Sequence, residues 1–333
     1  MKNGTELNHF SVTKSSFKNT ISNGLLYVVS DSVTVDSSEF ASSSNGKMEF
    51  INYRYANISR SVYNDNHNAY WHFSGGSSTI YDNYLTNFYG NSIWNNTTES
   101  ESGNLFDFDS NADSVVISNN TIASNVSGSI IEFHGCHPEM YNNTITGNVN
   151  ATDLIQAYPA DLKLEGNIIL GNSLDKKENI SNHGTEAISA RWSRIDYRNN
   201  ILPCIEDLGD VHLNSISQEI LDNNILSIFD NSSDNIHEEL KDIPNRNEEI
   251  LTTLFEGKYN KETGLFTPVI KNNGGFTPTV ALKADKLSDG TTIRFPRLEN
   301  VLTDQRGVER FDSTCMGAYE MRCSTVETVL KDT

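Results

Sequence analysis

A short Asn-rich line returns again and again through the middle of this chain. From Asn104 to Asn172 the sequence reads LFDFDSN, ADSVVISNNTIASN, SIIEFHGC, HPEMYNNTITGN, DLIQAYPA, DLKLEGNIILGN, so a strand-like run and the Asn-rich line alternate three times. Aligning the lines puts Ile122, Ile145 and Ile169 at one position, 23 and 24 residues apart. Repeats of that length carrying short strands indicate a solenoid. The register extends outward to Leu85, Leu202 and Leu226, at spacings of 37, 33 and 24 that fit a normal period with loop insertions.

A second column supports the first. Phe73, Phe108, Phe133, Ala157 and Ala190 lie 12, 14, 12, 12 and 12 residues upstream of Leu85, Ile122, Ile145, Ile169 and Leu202. Pairs such as Asn119-Asn120 and Asn142-Asn143, with Asn167 and Asn200, sit where each coil must turn. Asn tolerates the left-handed backbone conformation and bonds nearby backbone, which suits a corner. Stacked in register, such residues also form amide ladders along a solenoid. Asn96, Asn125 and Asn142 head formal glycosylation triplets, but the ladder reading fits them better.

Stacking removes the usual size argument for a chain of 333 residues, because repeat architectures grow one unit at a time. Only 36% of residues are hydrophobic, too few for a thick globular core. A coil needs only a thin line of alternate inward side chains. The regular apolar columns argue against disorder.

A formal charge of −19 disfavours nucleic acid, whose phosphates the protein would repel. Cations, neutral glycans and basic proteins are better partners. No apolar run is long enough for a transmembrane segment. The opening MKNGTELNHF lacks the apolar segment of an export signal, and reads as the middle of a coil. Cys136, Cys204, Cys315 and Cys323 allow three pairings. None has metal-site spacing, so both a small Cys315–Cys323 loop and buried free thiols stay open.

Three regions follow. Residues 1–65 read as degenerate coils, in which FKNTISN (17–23) and YANISRS (55–61) resemble the Asn-rich line. Residues 66–226 are the regular body. Residues 227–333 supply a C-terminal cap: helical spacing at Ile236, Leu240 and Ile243, then Ile250, Leu251 and Leu254, leads into the module, and a solenoid needs its open strand edges covered.

Within that last region NNGGFTPTVAL (272–282), TDQRG (303–307) and MGAYE (316–320) resemble the C-terminal module of bacterial right-handed parallel β-helix surface proteins of the choice-of-anchor Q type. The resemblance covers the end of the chain and agrees with the Asn-rich coils upstream. It implies an all-β, right-handed parallel β-helix at an extracellular or cell-surface location, the bacterial outer surface. It implies no reaction. Two departures stand out: no exporting N-terminus is seen, and KADKLSDGTTIRFP replaces the usual small-residue stretch. Pectate-lyase-like and polygalacturonase-like enzymes share the body architecture, which by itself says little about function.

Alternation along the strands locates the candidate site. With Trp71/Phe73, Phe106/Phe108, Ile131/Phe133, Ile155/Ala157 and Ile188/Ala190 inward, two rows face out. The first is His72, Asp107, Glu132, Gln156, Ser189; the second is Ser74, Asp109, His134, Tyr158, Arg191. Coils about 4.8 Å apart would gather these on one sheet face.

Three classes of function fit: a binding module, a polysaccharide-degrading enzyme and a structural rod. A glycan-binding or adhesin-like surface protein, a monomer whose partner is a polysaccharide or surface glycan, would use His72, Gln156, Tyr158 and Arg191 as ligand-binding groups, with Trp192 and even Trp71 lining a groove. A glycoside hydrolase would divide acid and base work among Asp107, Asp109 and Glu132, with His134 tuning them. A polysaccharide lyase would neutralise a uronate with Arg or with Ca²⁺ held by the same carboxylates; Ca²⁺ is the one cofactor the row suggests, and no dedicated metal site is read. A structural display rod is the third class. Against the sharper readings, outward acids on a solenoid commonly serve solubility. His134-Gly135-Cys136-His137 is a poor metal set because its members diverge at a corner. Arg306, Arg310 and Asp304 read as local braces.

Overall fold

The computed structural model of the protein describes residues 8–21, 24–75, 85–98, 103–109, 114–158, 160–174, 188–190, 195–203, 205–206, 223–227 and 242–321. Successive short strands pair in parallel with the strands one coil away, giving stacked sheets of eight, eight and nine strands. In each coil the chain passes from the first sheet (Phe106–Phe108, for example) to the second (Ser114–Ser118) and then the third (Thr121–Ala123). A fourth, narrow sheet joins Val126–Ser127, Val149–Asn150 and Ser173–Leu174, an element that the sequence reading did not separate from the corner.

Inward side chains from all three sheets fill the coil. Phe50, Phe73, Phe108 and Phe133 stack with centroids 5.1, 4.8 and 5.3 Å apart, while Phe17, Phe40 and Tyr63 stack at 4.9 and 5.0 Å. These distances match the spacing of neighbouring strands, about 4.8 Å, so the rings of successive coils lie in contact along the axis. Trp71 is part of this core, with its ring edge-on to Phe106 and Tyr63.

Two buried amide ladders run along the corners. Asn91, Asn120, Asn143, Asn167, Asn200 and Asn224 form one: each Oδ1 accepts the backbone N–H and the side-chain amide of the preceding rung. Each remaining amide hydrogen goes to a backbone carbonyl, as Asn120 does to Phe88. Asn66, Asn96, Asn125, Asn148 and Asn172 form the second. Asn96, Asn125 and Asn143 are therefore interior groups. The residue before a rung takes the left-handed conformation, as Asn119 (φ 56°) and Asn142 (φ 51°) do. The pair thus divides its work: the first Asn bends the chain and the second bonds the adjacent coil.

The Phe73/Phe108/Phe133/Ala157/Ala190 column is in register as read. The other column needs one correction: Ile93, not Leu85, pairs with Ile122. Leu85 opens a strand of the second sheet, opposite Ser114. Extra residues between Gly75 and Leu85 and within the following coil absorb the difference, so the repeat period alone misplaced the corner. The coils before residue 66, expected to be degenerate, pair in the same register as the rest, with His9, Ser32 and Tyr55 aligned at a spacing of 23. Their ladder positions hold Ser15, Ser38 and Ser61 in place of Asn.

The C-terminal module comprises helix α1 (Asn247–Leu254) and small antiparallel hairpins such as Arg294–Pro296 with Ser313–Cys315. Helical spacing at Ile250, Leu251 and Leu254 is confirmed by their burial, whereas Ile236 and Leu240 lie outside the described residues. Ile243 packs on the main core. Among the described residues, the module's other contacts run along the flank of the solenoid. Phe266 bonds Gly171, Gly317 bonds Gly166, Asn142 bonds Cys315, and Thr277 and Gln305 reach Gly90 and Asn91. At Gly147, Gly166 and Gly171, where the module packs closest, the left-handed corner residue is glycine. A Cβ on Gly147 would stand 2.5 Å from the Phe266 carbonyl, and one on Gly171 2.7 Å from Leu251.

The TDQRG and MGAYE strings lock each other. Asp304 accepts from the backbone N–H groups of Arg306, Val308 and Glu320, and Arg306 lies 3.6 Å over the Tyr319 ring. Arg310 is fully buried, paired with Glu320 at 3.3 Å, and donates to Asn119 on the solenoid. Burial lowers the Arg310 pKa, against the pull of Glu320 and Asp304. Cys136 and Cys315 are buried free thiols, each pushed up to about 12 by burial, while Cys204 and Cys323 lie outside the described residues. No helix among the described residues is long and apolar enough to cross a membrane.

Candidate functional site

The first sheet presents its outward rows because inward positions alternate without interruption. Trp71, Phe73, Phe106, Phe108, Ile131 and Phe133 are all at most 2% exposed, so the residues between them must face away from the core. His72, Asp107, Glu132, Gln156 and Ser189 occupy directly paired positions on successive strands.

Hydrogen bonds join His72 to Asp107, and His134 stands between Asp107 and Glu132. Tyr70 donates to Oδ2 of Asp107 at 2.9 Å, and Nδ1 of His72 lies 3.1 Å from the same oxygen. Nε2 of His134 is 3.1 Å from Oε1 of Glu132 and 3.9 Å from Oδ1 of Asp107, a buried oxygen with no hydrogen-bond partner. One imidazole therefore stands between two carboxylates. The rings are layered as well: Tyr70 stacks with His72, and His134 with Tyr158, both at 5.9 Å.

The two carboxylates are pushed in opposite directions. Burial works to raise Asp107, but hydrogen bonds from His72 and Tyr70 outweigh it and hold the group below its ordinary value. For Glu132, burial dominates; the Asp107 charge adds to it, the opposing effect of His134 does not cancel it, and the group is held above its ordinary value. His72 is raised by its hydrogen bond to Asp107, against burial. Tyr70 is raised by burial and then by the Asp107 charge. A carboxylate held ionised beside one held toward its acid form is an arrangement that can divide base and acid roles.

The parallel coil, its inward aromatic ladder and its Asn corners are now joined by one comparison. The model of the right-handed β-helix region matches residues 2–169. The chain belongs to the right-handed β-helix family. No curated protein and no solved structure gives a significant match.

On this β-helix the residues expected at the site do not all converge. Asp107, Glu132, His134 and His72 form one connected group. Tyr158 joins through its stack on His134, and Gln156 turns to Thr152 of its own coil, 3.1 Å away. Asp109 follows the Phe106–Phe108 strand, its N–H bonded to Phe73, and acts on His72 through its charge. Ser189 is buried at 1% exposure. Arg191 and Trp192 lie outside the described residues. Among the described residues, no group of three or more His, Cys, Asp and Glu is arranged to hold a metal ion.

The sequence reading missed Tyr70, which belongs to the same alternation two residues before His72. It missed Lys47 and Glu49 too. These pair with Tyr70 and His72 on the preceding coil of the β-helix, in the stretch whose register was not recognised. Lys47 bonds Glu49 at 3.1 Å and its ammonium lies 5.7 Å from the Tyr70 ring.

Proposed function

We propose that this protein is an extracellular or cell-surface β-helix of the choice-of-anchor Q type that engages a polysaccharide or surface glycan along its first sheet, as a monomeric binding module or adhesin. Right-handed β-helix proteins include surface proteins and polysaccharide-degrading enzymes. The observation that carries the binding reading is the in-register row His72, Asp107, Glu132, Gln156, which offers one polar side chain per coil at a step of about 4.8 Å. Tyr70 and Tyr158 flank it with ring surface, and aromatic bodies with polar tips suit amphipathic sugar rings. The overall negative charge favours neutral glycans for this row.

A screen against acidic and neutral polysaccharides should record binding together with new reducing or unsaturated ends. Binding without product, weakened about tenfold by Tyr158→Ala, is the expected result. Absence of any ligand would remove the reading.

A second reading, glycoside hydrolysis, is favoured by the opposite shifts of Asp107 and Glu132. Glu132 would donate the proton to the leaving oxygen, while ionised Asp107 would act from the adjacent coil. Strand spacing of about 4.8 Å lies close to the separation of about 5 Å seen between carboxylates of retaining enzymes. New reducing ends lost in Glu132→Gln would select this reading over pure binding. A Ca²⁺-dependent lyase is less well supported, because Oδ2 of Asp107, which would hold the ion, is already engaged by Tyr70 and His72.

A further inference from the structure

Resting on the first-sheet glycan reading, we propose that the ligand is a neutral, straight chain of 1,4-linked pyranoses with both bonds equatorial, lying along the solenoid axis with Tyr27 as the platform for its far end. The row has more members than the four that carry that reading. Tyr27 pairs with Glu49 and Glu49 with His72, and the line runs on through Asp107 and Glu132 to Gln156 without an offset. Successive coils thus each hold one side chain of a single row, which advances by the strand spacing of about 4.8 Å.

That step constrains the ligand. A polymer that meets equivalent groups coil after coil must stay straight and advance by a similar distance per unit. Pyranoses joined through two equatorial bonds do so, because each ring lies lengthwise and continues the line of the one before. Linkages that combine an axial with an equatorial bond turn the chain at every sugar and carry it off a straight row. Two axial bonds set each ring across the chain, so its flat face no longer lies on the sheet.

Charge narrows the class. Each acid of the row already has a partner on the same face: Glu49 meets Lys47, Asp107 meets His72 and Glu132 meets His134, all at 3.1 Å. Lys47, His72 and His134 are thereby committed, and a carboxylated sugar would have to displace an acid to reach any of them. Neutral hydroxyls can bond the same groups without breaking these pairs.

The early end of the face supplies the platform. Along Leu26–Val29, Val28 is buried while Tyr27 is 69% and Val29 56% exposed, and Val29 pairs with the partly exposed Ile51. Tyr27 therefore stands on the outer face beside apolar neighbours, a ring with a polar tip that suits the C–H face of a pyranose. It lies five strand steps from Gln156, roughly 24 Å at about 4.8 Å per step, and Tyr158 is on the same strand as Gln156. A hexasaccharide spans that distance and a trisaccharide does not.

Calorimetric titration of the full chain with cellohexaose, β-1,4-mannohexaose, the trimer of each, and maltohexaose tests the inference. At least one equatorially linked hexamer should bind about tenfold more tightly than its trimer and than maltohexaose. Tyr27→Ala, an exposed change that leaves the core intact, should bring that hexamer down to the affinity of its trimer. Equal affinity for hexamer and trimer, maltohexaose binding as tightly, or a hexamer indifferent to Tyr27→Ala would overturn the inference. So would a Tyr27→Ala effect on self-association in sedimentation with none on the sugar. Polysaccharide binding that is sensitive to Tyr158→Ala while both equatorially linked hexamers fail would overturn the linkage class and leave the first-sheet reading standing. Absence of binding to every glycan would remove both.

Discussion

Asp107 and Glu132 stand opposite each other on adjacent coils, yet their acidities are displaced in opposite senses. The cause is the coil on the far side of Asp107. There Tyr70 and His72 both bond its Oδ2, whereas Glu132 meets the half-exposed His134 and the charge of Asp107 itself. The difference comes from which neighbours the stacking supplies to each carboxylate.

Asp107→Asn should lower the His72 pKa toward its ordinary value, as read by ring-proton NMR titration. The folded His72 pKa is raised, so its stabilising contribution is complete below the unfolded value and is lost as pH rises through the folded one. The folded Asp107 pKa is depressed, so its contribution is present above the unfolded value of 3.8 and is lost as pH falls through the folded one. The stability difference between wild type and variant should therefore peak between roughly pH 4 and 6.5, at about 2 kcal/mol, and shrink on either side.

Glu132→Gln should act oppositely on stability. A raised carboxyl pKa means that the protonated form is preferred on folding, so the contribution is present below the unfolded value of 4.5 and lost as pH rises through the folded value. Urea unfolding should show the variant at least as stable as wild type at pH 7. Where the chain releases new reducing ends, the same substitution should slow release by about 100-fold or more.

Asn120→Ala should be severe. It strands the backbone N–H of Asn91 and the carbonyl of Phe88 in the interior and cuts the link to Asn143, for a cost of about 3–4 kcal/mol in denaturant unfolding. Asn95→Gly, at an exposed corner with φ 54°, should stay within about 0.5 kcal/mol because glycine accepts that conformation freely.

Arg310→Met should cost about 3–5 kcal/mol, since it takes one of two cations from buried Glu320, leaving Arg294, and removes the bond to Asn119. Limited proteolysis should then cut the C-terminal module ahead of the solenoid. Adding Glu320→Leu should recover part of the loss.

The inward columns were legible because one aromatic or aliphatic residue per coil must fill the axis at fixed spacing, as Phe108 over Phe133 shows. The Asn ladders were legible for the same reason. What a period cannot tell is where in a coil an insertion falls, hence Leu85 was read for Ile93. The early coils were obscured because Ser15, Ser38 and Ser61 do the work of Asn at the corner. Tyr70 was missed although alternation pointed to it, and with it the hydrogen bond that separates Asp107 from Glu132. Flank docking left no local trace: Asn119 meets Thr303 across 184 residues of sequence.

The module acts as a splint. It clasps the solenoid at Gly90, Asn119, Asn142, Gly166 and Gly171, so those turns cannot peel away singly when the molecule is pulled along its axis. The turns ahead of Arg60 have no such clasp among the described residues, and under tension they should unwind one at a time. The splinted stretch should then let go in a single, larger rupture.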